Sequence, residues 1–250
     1  MIFSFFKKRK KDEIKHRESA VKLKVDIHSH LIPGIDDGSQ SMEESLLLLR
    51  GLEKLGYEKV ITTPHIMFDS YPNSAKVIRS GFEKLQEAAQ REGIGLSIDV
   101  GAEYYLDENF YDEMKKDDIL SIAGEYVLFE SSYISKPLQM EEMIFAIGEA
   151  GYKPMMAHPE RYRYIRDPEK EYRRFKDLGV YFQVNLNSLG GHYGRGAKAL
   201  AEYLKDAGMI DFLGSDTHHQ KQVHTLQDIF ESDVYRDIFT KNVIKNDHFL

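Results

Sequence analysis

The sequence predicts an α/β fold, a parallel (β/α) barrel of seven strands, on three observations. Short apolar segments rich in β-branched residues alternate with amphipathic segments of helical period. Polar side chains follow almost every apolar segment at the point where it ends. The 250 residues include no Pro-rich or Gly/Ser-rich linker and no internal repeat, so one domain of barrel size accounts for the length.

Seven apolar segments are predicted to be strands, and five amphipathic segments between them are predicted to be helices. The predicted strands are residues 23–28, 59–65, 96–103, 126–130, 153–159, 180–185 and 211–216. The predicted helices are residues 41–54, 73–91, 138–150, 168–178 and 197–207. Strands separated by helical crossovers pair in parallel, which is the arrangement of a barrel.

The composition is that of a globular enzyme and excludes several kinds of site. Hydrophobic residues make up 42% and charged residues 30% of the chain. The absence of cysteine excludes disulfides, thiolate metal sites and a cysteine nucleophile, and it fits a cytoplasmic location. Residues 1–24 hold nine of the 34 Lys and Arg residues, so the rest of the chain is strongly acidic. An acidic body argues against a general nucleic-acid binder.

The sequence divides into a basic N-terminal tail, residues 1–24, and a folded domain, residues 25–250. In the tail, four apolar residues precede the basic run Lys7–Lys11, which is the reverse of a secretory signal: Ile2, Phe3, Phe5 and Phe6. The tail can be interpreted as a weak anchor at a membrane surface or as a flexible solvated segment.

Polar residues mark the C-terminal ends of the predicted strands. They are His28, His30, His65, Glu103, Glu130, His158, Asn185, Asp216 and His218. In (β/α) barrels the C-terminal strand ends form the active-site face. Histidines with unrelated structural roles would not be expected to recur at the ends of successive strands, so this regularity predicts one shared site.

Eight of the residues near these ends are candidate metal ligands. They are His28, His30, Asp37, His65, Glu103, His158, Asp216 and His218. His28 and His30 point to the same side of a strand, and Pro33 and Gly34 turn the chain so that Asp37 can join them. The Asp36-Asp37 pair can also be interpreted as a turn or helix start. Imidazole and carboxylate donors suit Mn, Fe, Zn or Co, and Glu103 could bridge two ions.

Five motifs resemble those of the PHP (polymerase and histidinol phosphatase) superfamily: "DIHSHLIPGIDDG", "TTPH", "GAEYY", "AHPERY" and "SDTHH". They are most similar to the bacterial metal-dependent protein-tyrosine phosphatases of capsular and exopolysaccharide operons. The resemblance runs from Val25 to the end of the chain. It implies a distorted (β/α)7 TIM-like barrel with two or three Mn ions, for which Fe, Zn, Co or Mg could substitute.

The resemblance also implies roles for individual residues. The first ion would be held by His28, His30, Glu103 and Asp216. The second would be held by His65, Glu103 and His158, and Asp37 and His218 would complete the cluster. The candidate catalytic residues are Arg161, Glu103 and His218.

Three basic residues are candidates for contacts with the substrate phosphate: Arg161, Lys221 and Arg195. A guanidinium at Arg161 could bind phosphate oxygens in bidentate fashion, or it could pair with Glu160 instead. The relatives usually carry an arginine shortly after the last Asp-x-His motif. This chain reads "SDTHHQKQVHTL" there, without an arginine, so the substrate contacts depart from the pattern.

The expected function is hydrolysis of phosphotyrosine by water that metal ions activate. By resemblance, the partner is a phosphotyrosine protein, namely a membrane-associated bacterial tyrosine kinase that controls polysaccharide synthesis. The expected location is therefore the cytoplasm, with peripheral contact at the inner membrane. Three alternatives are a histidinol-phosphatase-like enzyme for small molecules, a metal-dependent amidohydrolase and a non-catalytic metal-binding protein.

Overall fold

The structure, a computed structural model, describes residues 23–116 and 118–250. The interpretations of the N-terminal tail fall mainly on residues 1–22, which lie outside the described residues. Leu23 is buried, and its N–H donates a hydrogen bond of 3.1 Å to the hydroxyl of Tyr235. In the described ranges, none of the helices is long and apolar enough to cross a membrane.

Nine short strands form two parallel sheets in the described chain. They are β1 (Val25–Asp26), β2 (Lys59–Thr62), β3 (His65–Ile66), β4 (Ser97–Val100), β5 (Glu103–Tyr105), β6 (Tyr126–Glu130), β7 (Lys153–Ala157), β8 (Tyr181–Asn185) and β9 (Phe212–Gly214). One sheet has the order β1-β2-β4, and the other has the order β3-β5-β6-β7-β8-β9. The predicted α/β barrel arrangement of parallel strands is confirmed.

Two of the seven predicted strands are interrupted, which is why nine are found. The segment 59–65 breaks before His65 at Pro64, which has no N–H to donate to a ladder. The segment 96–103 breaks at Gly101 and Ala102. Hydrogen bonds continue across both breaks, because the Gly101 N–H donates to Thr62 and the Glu103 N–H donates to Pro64. The two segments therefore stay hydrogen-bonded to each other, although their first halves belong to one sheet and their second halves to the other.

Hydrogen bonds join the segments that follow the first and last strands. The Asp216 N–H donates to the carbonyl of His28 at 2.8 Å, and the His30 N–H donates to the carbonyl of Thr217 at 3.0 Å. Below them, the buried side chain of Asn246 donates to the carbonyls of Val25 and Leu213 at 2.9 and 2.7 Å. Residues far apart in sequence therefore become neighbours at this seam.

Helices surround the strands. They are Met42–Leu55, Ala75–Arg91, Phe110–Met114, Met140–Glu149, Pro168–Asp177, Leu186–Leu189, Gly194–Asp206, Gln220–Phe230 and Asp233–Lys241. Two 3₁₀ turns are present as well, Pro159–Arg161 and Asn246–Phe249. The five predicted helices are confirmed close to their predicted ends. The helix Met42–Leu55 shows the local causes: Ser41 accepts a hydrogen bond from the Glu44 N–H at its start, and the left-handed Gly56 ends it.

Two apolar clusters support the fold. The larger one packs helices against strands, and the smaller one includes Tyr126, Leu128 and Phe212 from the strands. Alternate residues of a strand face the same side, so β6 buries Tyr126 and Leu128 and then presents Glu130 at its end. The strands thus change from apolar to polar side chains towards their C-terminal ends, where the polar cluster begins.

Candidate metal centre

The eight predicted ligands lie in one cluster at the C-terminal side of the strands. His28 and His30 follow β1, His158 follows β7, and Asp216 and His218 follow β9. His65 and Glu103 begin β3 and β5, the second halves of the two interrupted strands. Asp37 reaches the cluster from the loop before the helix Met42–Leu55.

Glu103 is at the centre of the cluster. Its Oε2 atom lies 3.2 Å from His28 Nε2, 3.2 Å from His65 Nδ1 and 3.5 Å from His30 Nε2. Its Oε1 atom lies 3.1 Å from His158 Nε2. Both Oε2 and His65 Nδ1 are buried and have no hydrogen-bond partner among the described residues. Buried polar atoms almost always have a hydrogen-bond partner, so two potential ligand atoms without one, this close together, fit metal coordination.

His28 and His30 are oriented by neighbours that fix their tautomers. His28 Nδ1 lies 2.7 Å from Gln183 Oε1, and His30 Nδ1 lies 2.8 Å from Asp36 Oδ2. Since both partners are acceptors, each Nδ1 carries a proton, which leaves each Nε2 as the nitrogen that can present a lone pair to an ion. The two Nε2 atoms are 3.3 Å apart, and each lies 3.6 Å from Asp216 Oδ1. This geometry allows both histidines to bind one ion.

The two adjacent aspartates have different parts in the structure. Asp36 is buried, and besides His30 it accepts a hydrogen bond from the Gly38 N–H at 3.0 Å. Asp37 is half exposed, and its Oδ1 lies 3.4 Å from both His65 Nε2 and His218 Nε2. Asp36 therefore supports a ligand and forms a turn, whereas Asp37 offers a ligand atom itself.

Three sets of side chains have donor atoms close enough to share an ion. They are His28, His30 and Glu103; His65, Glu103 and Glu130; and His30, Asp37, His65 and His218. The sets share Glu103, His30 and His65, so the cluster has the form of a polynuclear centre.

Glu130 is the residue that the predicted ligand set omitted. Its Oε1 lies 3.2 Å from His65 Nδ1, and its Oε2 lies 3.7 Å from His158 Nε2. The signal was present in the sequence, because Glu130 ends the segment "YVLFE" in the same phase as the other polar strand ends.

The cluster binds protons tightly when it holds no cation. Burial alone would lower the pKa of His28, but the carboxylates of Glu103 and Asp216 outweigh it and raise this pKa to about 9. The pKa of His218 is likewise raised to about 9, against burial, by Asp216 and Asp37. Burial opposes ionisation of Glu103, yet His28 and His65 hold its pKa well below the usual range. Protons and metal ions therefore compete for the same lone pairs.

Two amides on β8 connect a ligand histidine to a ligand aspartate. The Gln183 Nε2 group donates to Asn185 Oδ1 at 2.9 Å, and the Asn185 Nδ2 group donates to Asp216 Oδ2 at 2.7 Å. Because Gln183 also accepts from His28, the two amides fix both His28 and Asp216. Residues two apart on a strand share a face, which is how β8 supplies both.

Arg161 lies against the cluster. Its Nη1 group donates to Asp216 Oδ2 at 2.9 Å, and its side chain is 20% exposed. Arg161 therefore pairs with Asp216, and the pair with Glu160 that the sequence left open is not formed between these two described residues. Glu160 is buried and instead accepts hydrogen bonds from the Asn185 N–H and the Ser188 hydroxyl.

The other two candidate phosphate contacts are exposed side chains on helices. Lys221 is exposed on the helix Gln220–Phe230, and Arg195 is exposed on the helix Gly194–Asp206. Among the hydrogen bonds and ion pairs of the described residues, neither head group contacts a ligand. Both contacts stay predictions from the sequence.

Comparison with known proteins identifies a family that matches most of the chain. Residues 24–245 match the protein family described as capsular polysaccharide synthesis, CpsB/CapC. The tyrosine-protein phosphatase YwqE of Bacillus subtilis is 29% identical over 209 residues, which cover 82% of each chain. The tyrosine-protein phosphatase CpsB of Streptococcus pneumoniae is 28% identical over 201 residues, which cover 78% of this chain and 83% of the relative.

A solved structure is similar as well. It comes from work on YwqE of Bacillus subtilis and CpsB of Streptococcus pneumoniae, described as unique metal-dependent tyrosine phosphatases. It superposes with a TM-score of 0.74 at 26% identity, covering 88% of this chain and 96% of that one.

Proposed function

Since this chain belongs to the CpsB/CapC family of capsular polysaccharide synthesis, we propose that it is a metal-dependent protein-tyrosine phosphatase, a phosphoric monoester hydrolase. The observation that carries the proposal is the convergence of three imidazole nitrogens on the unpaired Oε2 atom of Glu103. A buried centre of nitrogen and oxygen donors without thiolate is typical of hydrolytic metal sites.

Three ion positions are proposed within the cluster. The first would be held by His28, His30, Glu103 and Asp216. The donor atoms of the last three lie within 3.6 Å of His28 Nε2. The second would be held by His65, Glu103, Glu130 and His158. The third would be held by Asp37 and His218. Manganese is the proposed ion, and Fe, Zn, Co and Mg also accept these donors.

Bound divalent ions would lower the pKa of water and neutralise charge on a phosphoryl group. Glu103 would be a ligand at two of the proposed ion positions, and Asp37 and His218 would be ligands at the third. Arg161 stays charged, because Asp216 and nearby tyrosines raise the pKa of its guanidinium although burial lowers it. It can therefore bind phosphoryl oxygens. A phenol leaving group of pKa ~10 needs little proton donation, which suits phosphotyrosine.

The proposed partner is a phosphotyrosine protein, and more specifically a membrane-associated bacterial tyrosine kinase of capsular or exopolysaccharide synthesis. The support is the family description and the names of the relatives. A cytoplasmic location with weak membrane contact through residues 1–24 belongs to the same proposal. If deleting residues 2–11 leaves recovery in the membrane fraction unchanged, the membrane contact is wrong.

The test of the proposed function is a comparison of two substrates. Chelator-stripped protein is assayed for phosphate release from a phosphotyrosyl peptide and from histidinol phosphate, with and without Mn²⁺. We expect Mn²⁺-dependent release from the peptide that is lost in His28→Ala and Asp216→Ala. Phe145→Ala, an exposed position on the helix Met140–Glu149, is the control and should match the wild type. Release from histidinol phosphate alone would reassign the enzyme to small-molecule metabolism.

A further inference from the structure

Two tyrosine rings lie against the guanidinium of Arg161. Its Cζ atom lies 4.4 Å from the ring centroid of Tyr133 and 4.3 Å from that of Tyr193. Tyr133 comes from the loop after β6, and Tyr193 comes from the segment before the helix Gly194–Asp206. At these distances both contacts are within the range of cation–π attraction.

Each tyrosine is also bonded to a carboxylate of the cluster. The Tyr133 hydroxyl donates to Glu130 Oε2 at 3.1 Å. The Tyr193 hydroxyl accepts a hydrogen bond from the Gln222 Nε2 group at 3.1 Å, so its own proton is directed to Asp216 Oδ2 at 3.3 Å. Burial raises the pKa of both phenols, which keeps them protonated as donors. Each ring is therefore held at two places: its face lies against Arg161, and its hydroxyl group is hydrogen-bonded.

These contacts limit how Arg161 can meet an anion. Where a ring lies against the guanidinium, hydrogen bonding is left to the N–H groups at its edge, and Nη1 already donates to Asp216. Among the described residues, Nη2 and Nε donate no hydrogen bond. An arginine fixed in one plane loses less conformational freedom when it binds two oxygens than a mobile one does.

We propose that Tyr133 and Tyr193 are positioning residues that hold Arg161 in one plane, with its remaining N–H edge presented to the phosphoryl group of the substrate. The inference rests on the proposed function, because it assigns Arg161 to phosphate recognition. It goes further in making the recognition depend on two rings that need not touch the substrate.

Paired substitutions separate the rings from the hydroxyl groups. Both Phe substitutions keep the stacking: Tyr133→Phe removes one hydrogen bond, and Tyr193→Phe removes two. Tyr133→Leu and Tyr193→Leu remove the stacking as well. We expect each Leu variant to weaken inhibition by inorganic phosphate and to lower kcat/KM about tenfold, and each Phe variant to stay within about threefold of the wild type. Manganese content and the thermal midpoint are measured on every variant, so that misfolded proteins are set aside.

A double-mutant cycle with Arg161→Ala tests whether the rings act through the arginine. We expect Tyr133→Leu and Tyr193→Leu to have almost no further effect on the phosphate inhibition constant when Arg161 is absent. Full additivity, or Phe variants as impaired as the Leu variants, would overturn the inference. If the wild type binds phosphate with this coupling but hydrolyses no phosphotyrosine, the proposed function fails and the positioning role stands.

Discussion

At the scale of single residues, buried polar partners decide where each proton lies. Gln183 and Asp36 accept hydrogen bonds from the Nδ1–H groups of His28 and His30, so both Nε2 atoms face the centre. These partners are as necessary as the ligands, since a rotated or wrongly protonated imidazole cannot bind an ion. The sequence motif supplies the two histidines, and β8 and the loop after β1 supply their orientation.

Asp26 gives a prediction about pH. It is fully buried below the cluster, where it accepts hydrogen bonds from the N–H and the hydroxyl of Ser215 at 2.8 and 2.6 Å. Burial raises its pKa to about 6, although the bonds from Ser215 lower it. A raised folded-state pKa stabilises the protein below the unfolded value near 4, and this stabilisation disappears as the pH rises through 6. At pH 8 the charged carboxylate therefore costs up to about 3 kcal/mol of the free energy of unfolding.

Asp26→Asn removes this charge and keeps both hydrogen bonds, because an amide can accept from the Ser215 N–H and donate to its hydroxyl. We expect the substitution to increase the free energy of unfolding at pH 8 by about 1–3 kcal/mol more than at pH 4.5. Urea unfolding of metal-free protein at the two pH values measures the difference. Equal effects at both pH values would contradict the assigned pKa shift.

The residues predictable from sequence are those with a local pattern. The spacing of His28 and His30 and the polar strand ends identify the ligand types. The pairing of Arg161 with Asp216 was not predictable, because these residues follow β7 and β9 with β8 between them. For Lys221 and Arg195 the sequence pattern alone is not enough: both are exposed, and among the described residues no hydrogen bond or ion pair joins either head group to a ligand.

At the scale of elements, the loop between β1 and the helix Met42–Leu55 depends on a close backbone approach. A Cβ atom added at Gly38 would lie 2.3 Å from the carbonyl oxygen of His30 and 2.4 Å from its Cβ. The Ser39 N–H also donates to the same carbonyl at 3.1 Å. The glycine thus allows the loop to fold back so that Asp36 and Asp37 reach the histidines.

Gly38→Ala should therefore displace the loop, while Gly148→Ala should not. We expect Gly38→Ala to lower manganese affinity by at least about tenfold, because Asp36 and Asp37 would move away from His30 and His65. Gly148 lies in the helix Met140–Glu149 with open space around its added Cβ, so Gly148→Ala should leave the affinity unchanged. Isothermal titration of both stripped variants compares them. Equal affinities would show that the loop tolerates the side chain.

Element boundaries were predictable where the chain carries its own start and stop signals, as in the helix from Met42 to Leu55. The interruptions at Pro64 and Gly101 were not predicted, because each segment was interpreted as one strand although it contains a proline or a glycine. They matter for function, since His65 and Glu103 begin the strands that follow the interruptions, and their side chains meet in the cluster. Glu130 had the right phase in sequence, but only the packing of β6 beside β5 and β7 shows its contact with His65.

At the scale of the whole molecule, the ligand cluster forms only when the whole domain has folded. The ligands come from positions 28 to 218, and the hydrogen bonds between residues 28–30 and 216–217 bring the two ends of this span together. The polar cluster lies at the C-terminal side of the strands, above the strand residues of the smaller apolar cluster. The class of fold was predictable because every strand repeats the same apolar-then-polar order; the junction of the first and last strands depends on the whole chain.

The central claim is that Glu103 organises a polynuclear centre on which phosphotyrosine hydrolysis depends. The most direct test titrates chelator-stripped protein with Mn²⁺ and follows bound ions per chain together with phosphate release from a phosphotyrosyl peptide. The rate should rise as at least two ions bind. Glu103→Gln should bind fewer ions and lose about 100-fold or more in rate. A full rate in metal-free protein, or a Glu103→Gln variant that matches the wild type in both measurements, would contradict the claim.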